Sequence, residues 1–594
     1  MIRVPLRPLA RILSARQVGG DPDAIERENL RLRHEGMRDR ARTRAEGRLL
    51  FMGLAFFMIF MVIGVRMGLL ASDEPTEPRL ALPGHEISAN RADILDRRGR
   101  ILATNMQTYA LYAHPQDMVD PHHVAVELGK LFPEMDAAAL ERRFTDGRKF
   151  MWIRKKLSPE QMQAVHDIGD PGLLFGPRQM RLYPNGTLAS HVLGGATFGA
   201  EGVASAEVVG MAGIERFEDA RLRDPAQTEP LALSLDMTLQ QAVTDVLDAG
   251  MKMMNAKGAA AVLMDVKTGE VLSLVSLPDF DPNDRPAPLL TGDPGDSPLF
   301  NRAVQGVYEL GSTFKIFTAA NGIQLGLVTP DTVIDGNAPL IWGKYRINEF
   351  EGHNYGMQTV AEVIQHSSNV GTARIALEIG AERQKVFMRS LGLFDPSPIE
   401  LVEAPGAKPI VPPRWPEIVT ITTSYGHGIA ASPMNLAAAY ATIANGGAKV
   451  TPTLLKREGP VHGDQVMSPE VAAQSVQMLR LVVTKGTASF ARIPGYPVGG
   501  KTGTADKPNP NGGYYHDRVV NTFASIFPTN DPKYVLVVTL DEPSDNTFAK
   551  PRRSAGWTAV PVAAEVIRRV VPLMGLRPTE EAEEPAAELT ANVE

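Results

Sequence analysis

Ser312-Thr313-Phe314-Lys315 sets a hydroxyl and an amine three residues apart, where the apolar run IFTAANGIQLGL begins. On a helix, residues three apart share a face, so the Lys315 amine can reach the Ser312 hydroxyl. A serine hydroxyl is a weak nucleophile until an adjacent base takes its proton. Lysine can be that base if burial or nearby cations depress its pKa. Taken alone, the tetrapeptide suits an ordinary helix N-terminus equally well, with Ser as a cap and a solvated Lys. It is the only Ser-x-x-Lys in the chain.

Two further groups gain meaning from their order. Ser367-Ser368-Asn369, between VAEVIQH and VGTARIALEI, reads as a turn between two helices, where Ser and Asn are at home. Lys501-Thr502-Gly503-Thr504 lies within PVGGKTGTA, placed to form a strand edge. There Lys501 can bind a carboxylate, and small residues such as Gly503 let a substrate backbone come close. Two look-alikes fall out of order. Lys267-Thr268-Gly269 precedes the serine inside a hairpin turn, and Ser544-Asp545-Asn546 follows Lys501 in an inter-strand loop. Only Ser312, Ser367 and Lys501 stand in the sequence Ser-x-x-Lys, Ser-x-Asn, Lys-Thr-Gly.

The elements that must position these groups are legible around them. MTLQQAVTDVLDAGMKMMNA carries Leu239, Val243, Val246 and Leu247 at helical spacing, after a short strand LALSLD. GAAAVLMDVKTGEVLSLVSLP reads as two strands joined by a turn, and VVNTFASIFP and YVLVVTLDEP as two more. SAGWTAVPVAAEVIRRVVPLMGL is a closing helix. The pattern predicts an α/β catalytic domain: an antiparallel sheet whose flanking helices come from both ends, with a helical subdomain inserted between. Residues 87 to about 225 mix short strands and helices into a separate α+β module.

At 594 residues the chain is too long for one core. Its net charge of −7, without a basic stripe, points away from a nucleic-acid partner. With no cysteine, disulfides, thiolate metal sites and cysteine nucleophiles are excluded together. His122-His123 cannot chelate from one strand or helix face. Leu49–Val65 carries no charge, and the apolar run resumes after Arg66 to Leu70, long enough to span a bilayer. Residues 1–48 hold twelve arginines against seven acidic residues, whereas residues 71–90 hold Arg79 against four. That asymmetry predicts a cytoplasmic N-terminus and an exported remainder on a retained anchor. The expected divisions are a basic tail (1–48), a membrane helix (49–70), a pedestal module (71–228), a catalytic domain (229–575) and a disordered acidic tail (576–594).

The three ordered motifs resemble those of the penicillin-binding proteins and class A β-lactamases. Over roughly residues 49–573 the chain is similar to a class B, monofunctional penicillin-binding protein, most of all to the division-specific transpeptidases. Arg91-Ala92-Asp93-Ile94-Leu95-Asp96-Arg97-Arg98-Gly99, RLYPNGTLASHVLGG and GMAGIERFED resemble motifs of that family's non-catalytic module. Ala92 replaces a usual Gly, and Leu310 a usual Pro. The resemblance implies a peptidoglycan D,D-transpeptidase with the transpeptidase fold and no metal or cofactor. It implies that Ser312 attacks the D-Ala-D-Ala carbonyl of a donor stem peptide, with Lys315 taking the proton; other groups for that transfer stay open. Ser367, with Lys501 nearby, would relay a proton to the leaving amine, and Asn369 would hold the peptide amide and Lys315. Lys501, Thr502 and Thr504 would bind the donor carboxylate, with the backbone N–H groups of Ser312 and Thr504 as oxyanion hole. β-Lactams would acylate Ser312. The partners implied are a polytopic glycan polymerase, since no polymerase domain precedes the module, and other division proteins.

Competing readings are an elongation-specific transpeptidase, a β-lactam-binding receptor that cross-links nothing, and an inactive structural protein. Asn369, where the elongation branch usually has Asp, favours division. A receptor needs a signalling domain that 48 residues hardly accommodate, and three intact motifs argue against a dead site.

Overall fold

The computed structural model describes residues 7–72, 91–198, 208–227, 229–509, 512–547 and 549–579. Residues 73–90 at the start of the expected pedestal module, and residues 580–594 of the expected acidic tail (576–594), therefore lie outside the described residues. The part of the tail that is described turns back onto the catalytic domain, where Thr579 N–H donates to Gly495 O at 2.8 Å.

The apolar stretch belongs to one helix, Pro22–Ser72, about 77 Å long at the usual rise per residue. Its Glu46–Met67 section is long and apolar enough to cross a membrane. The helix starts well before the apolar stretch, because the preceding run is rich in helix formers such as Arg, Glu and Leu.

In the module, strand Ile101–Ala113 pairs antiparallel with Ile94–Leu95, Met151–Leu157 and Leu173–Leu182. Helices Pro121–Leu131 and Ala137–Thr145 close over one face, burying Leu111, Val124, Leu128, Phe132 and Phe144. The three module motifs meet at one buried carboxylate, Glu215. Arg91 donates to its Oε2 at 2.6 Å and Arg181 to its Oε1 at 2.7 Å. Arg91 also reaches Asp219 at 2.8 Å. Charges this deep hold the fold only while paired, and breaking such a pair costs about 3–5 kcal/mol. Arg91→Ala is therefore expected to unfold the module at markedly lower temperature or urea concentration. Lys130→Ala, at an exposed pair with Glu127, should leave the transition where it is.

The module continues into the catalytic domain through Ile94–Leu95, which pairs parallel with Leu231–Ala232. Those two residues are all that remains of the expected strand LALSLD. Leu233 makes only an isolated bridge to Leu455, and Asp236 already caps the next helix by accepting from Thr238 N–H and Leu239 N–H. Arg100 fastens the junction, bonding Asp96, Asp236 and Thr238.

The catalytic sheet runs Gly499–Pro508, Tyr514–Phe527, Tyr534–Asp541, Gly258–Asp265, Val271–Leu277, antiparallel throughout. Helices Met237–Met253 and Ala559–Leu573 pack together on one face. Pro433–Ala444, buried along its whole length, packs against three of the strands. Covering on both faces explains why Val271–Leu277 is buried at every position and reads as a continuous apolar run. Its polar exceptions are satisfied: Ser273 Oγ donates to Gln240 Oε1 at 2.8 Å and Ser276 Oγ to Phe300 O at 3.1 Å. Lys267-Thr268-Gly269 forms the hairpin turn between two of these strands, away from the edge that carries Lys501.

Candidate active site

Ser312 lies in a 3-10 turn, Gly311–Phe314, and the α-helix begins only at Lys315, running to Gln324. The nucleophile candidate thus occupies the first turn of a helical segment, where backbone N–H groups have no partner within the helix and the dipole is positive. Neighbouring backbone forces this shape. Gly311 has φ +57°, and a Cβ there would stand 2.8 Å from Thr504 O. Gly426, at φ +80°, lies so close that a Cβ would overlap the Gly311 carbonyl oxygen. Behind the turn, Tyr440 Oη donates to Thr313 O at 2.8 Å, and its ring meets Phe317 edge-on.

Ser312 is partly exposed whereas Lys315 behind it is 1% exposed. The Lys315 amine turns to the second motif. It donates to Ser367 O, to Ser367 Oγ at 3.1 Å and to Asn369 Oδ1 at 2.7 Å. Among the described residues, the Ser312 hydroxyl has no hydrogen-bond partner. The hydrogen bond from Lys315 to Ser312 that the spacing allowed is not made; the amine's hydrogen bonds run to the other motif, where buried acceptors satisfy it.

Ser367-Ser368-Asn369 is the expected turn between helices Val360–His366 and Asn369–Ile379. Ser367 closes the first in the left-handed region (φ 64°, ψ 41°), and Ser368 caps the second by accepting from Gly371 N–H at 2.9 Å. A left-handed non-glycine costs about 1–2 kcal/mol, so the turn persists only because its surroundings hold it. The strained conformation aims Ser367 Oγ between two lysines, 3.1 Å from Lys315 Nζ and 2.9 Å from Lys501 Nζ.

Lys501 sits on the edge strand Gly499–Pro508, fully buried. Burial holds its proton affinity well below the usual lysine value, and the charge of Lys315 lowers it further. Burial likewise brings Lys315 down to about 7, against the opposing pull of the Glu349 carboxylate. Two ammonium groups cannot both be charged cheaply in so dry a place, so a charge on one disfavours a charge on the other.

The rest of the motif continues along the strand. Thr502 Oγ1 bonds Thr487 Oγ1 at 2.8 Å, and Thr504 Oγ1 accepts from Ala555 N–H at 2.9 Å, leaving its own proton to donate. Gly503 has a packing reason besides: a Cβ would overlap the Leu310 carbonyl oxygen, so its bareness admits the turn that carries Ser312. Ser544-Asp545-Asn546 stays in its loop, where Asp545 accepts from Thr547 N–H at 3.0 Å.

Four contributors escaped the sequence reading. Glu349, Tyr440 and Gly426 carry no motif, although two glycines flanking His427 in Tyr425-Gly426-His427-Gly428 mark a tight turn. At the rim, Glu309 accepts from Tyr514 Oη at 2.9 Å and pairs with His427 Nδ1 at 3.1 Å. The Glu309 contact raises the His427 pKa against the effect of burial.

Comparison with known proteins shows the family to which the chain belongs. The family described as "Penicillin binding protein transpeptidase domain" matches residues 259–568, and "Penicillin-binding Protein dimerisation domain" matches residues 86–229. The probable peptidoglycan D,D-transpeptidase FtsI of Caulobacter vibrioides is 34% identical over 567 residues, 92% of each chain. Peptidoglycan D,D-transpeptidase FtsI of Escherichia coli K12 is 28% identical, covering 83% of this chain and 85% of its own. The crystal structure of penicillin-binding protein 3 from Mycobacterium tuberculosis with ampicillin is similar at a TM-score of 0.63 and 25% identity, over 84% of this chain and 98% of that one.

Proposed function

The chain belongs to the class B penicillin-binding proteins and is a peptidoglycan D,D-transpeptidase, and from that premise we propose that it cross-links stem peptides at the division septum through an acyl-enzyme on Ser312. The observation that carries the site is the single hydrogen-bonded chain of all three motifs: Lys315, Ser367 and Lys501 share Ser367 Oγ at 3.1 and 2.9 Å.

Ser312 Oγ attacks the carbonyl between the two terminal D-Ala residues of a donor peptide as neutral Lys315 takes its proton. The backbone N–H groups of Ser312 and Thr504 face the developing oxyanion, and Lys501, Thr502 and Thr504 hold the terminal carboxylate. The proton passes through Ser367 Oγ to the leaving amine, D-Ala departs, and an ester remains on Ser312. A neighbouring stem peptide's amine then attacks the ester, forming the cross-link and freeing the serine. A β-lactam presents the same carbonyl and carboxylate but keeps its leaving amine tethered, so the ester persists.

The Glu46–Met67 span anchors the chain with the arginine-rich end in the cytoplasm and both modules outside. Glycan polymerisation falls to a polytopic membrane partner that contacts the anchor and the module. Asn369 and the likeness to FtsI transpeptidases favour division. Depleting the protein is expected to give unconstricted filaments. Swollen, rounded cells would assign it to elongation. Purified protein supplied with polymerase and lipid-linked substrate should yield dimeric muropeptides; penicillin labelling without dimers would make it a receptor.

A further inference from the structure

Glu349 follows a hairpin of Leu340–Trp342 and Tyr345–Ile347 and is 5% exposed. Its carboxylate is held by the second motif and the residue that follows it. Oε1 accepts from Ser368 Oγ at 2.6 Å and Val370 N–H at 2.9 Å, and Oε2 from Asn369 N–H at 2.7 Å. The preceding residue completes the clamp: Asn348 O accepts from Asn369 Nδ2 at 3.1 Å, which leaves Asn369 Oδ1 facing Lys315. One short segment therefore holds the backbone after Ser367, the Ser368 hydroxyl and the Asn369 amide nitrogen, in the turn where Ser367 is kept left-handed.

Charge points the same way. A buried carboxylate is tolerated when donors surround it, and two buried lysines next to each other require a counter-charge. Among the described residues, Glu349 is the acid whose charge acts on Lys315, and it favours the ammonium form.

We propose that Glu349 is a positioning residue for acylation, fixing the turn that carries Ser367 and Asn369 and supplying the counter-charge to the Lys315–Lys501 pair. It touches no reacting atom and acts through those three side chains and Lys315. The proposal rests on the reading of Ser312 as nucleophile and Lys315 as base.

The test is the rate of acylation by a fluorescent penicillin across the acid limb of its pH profile, with the full chain in detergent. Glu349→Gln keeps the shape but removes the charge, so neutral Lys315 forms at lower pH. The limb is expected to move about one unit toward acid, the lower end of what a neighbouring carboxylate does. Its plateau should fall about tenfold or more as the proton relay loosens. Glu349→Asp should return the limb toward its original place while the plateau stays low. A limb unmoved in a Glu349→Gln protein that still labels at Ser312 overturns the proposal. If Glu349→Gln does not fold, Ser368→Ala decides: it keeps the charge and removes one donor, so a slowed plateau is expected, and a wild-type rate overturns the clamp. Label that survives Ser312→Ala would remove the underlying reading instead.

Discussion

Ser312→Ala is expected to abolish covalent labelling by a fluorescent penicillin and to lower transpeptidation by a factor on the order of 10⁴ or more, the usual consequence of deleting a nucleophile. The reason is local. The Ser367 hydroxyl is instead engaged by both lysines, at 3.1 and 2.9 Å, in a turn held in the left-handed region. The variant should fold as the parent does, because the Ser312 hydroxyl holds no hydrogen bond among the described residues. An unchanged melting temperature beside lost label therefore separates chemistry from damage. Peptide mapping of the wild-type adduct completes the test, and label found on Ser367 would reverse the two roles.

The second large effect concerns Lys315. Its base form is the neutral amine, and burial brings its pKa to about 7. Since the folded value is lowered, the reactive form is lost as pH falls through that value. Acylation should decline about tenfold per pH unit on the acid side, the slope of a single ionisation that must be open for reaction. Lys315→Ala is expected to cost about 10³-fold at neutral pH, within the range for a positioned base, and to flatten the acid limb. It also orphans Ser367 O and Asn369 Oδ1, which the amine now satisfies, so the melting temperature should fall. A limb that persists in Lys315→Ala would assign the ionisation to another group, Lys501 first, since it lies on the other side of the same hydroxyl.

The module's predicted weakness is of another kind. Arg91 and Arg181 meet Glu215 across 124 and 34 residues of chain, so Arg91→Ala is felt in stability and leaves the Ser312 chemistry untouched. Deletion effects in the two domains should therefore be separable by comparing melting curves with labelling rates on the same samples.

What could be read along the chain was whatever depends on neighbours in sequence. The helical spacing of Leu239, Val243, Val246 and Leu247, the hairpin turn at Lys267-Thr268-Gly269 and the two-helix turn at Ser367 are local matters, and the structure has each of them in place. The uncharged stretch from Leu49 was legible for the same reason, since spanning length is a property of composition. Other readings failed where long-range contacts outweigh local preference. The strand LALSLD shrinks to Leu231–Ala232 because its later residues are claimed by a bridge and a helix cap. Ser312 sits in a 3-10 turn because Gly426 and Thr504 press on Gly311. Gly503 makes room for Leu310 O, which no local pattern announces.

The order of the three motifs, and with it the kind of chemistry, was determined by sequence alone, because residue types and their succession are what the chain directly encodes. Tertiary structure decided which groups touch and how tightly each amine holds its proton. Lys315 finds its acceptors 52 and 54 residues away, and Lys501 reaches Ser367 across 134. A lysine's proton affinity follows from the water removed around it and the charges brought near it, and both come into being only when distant segments close over the amine.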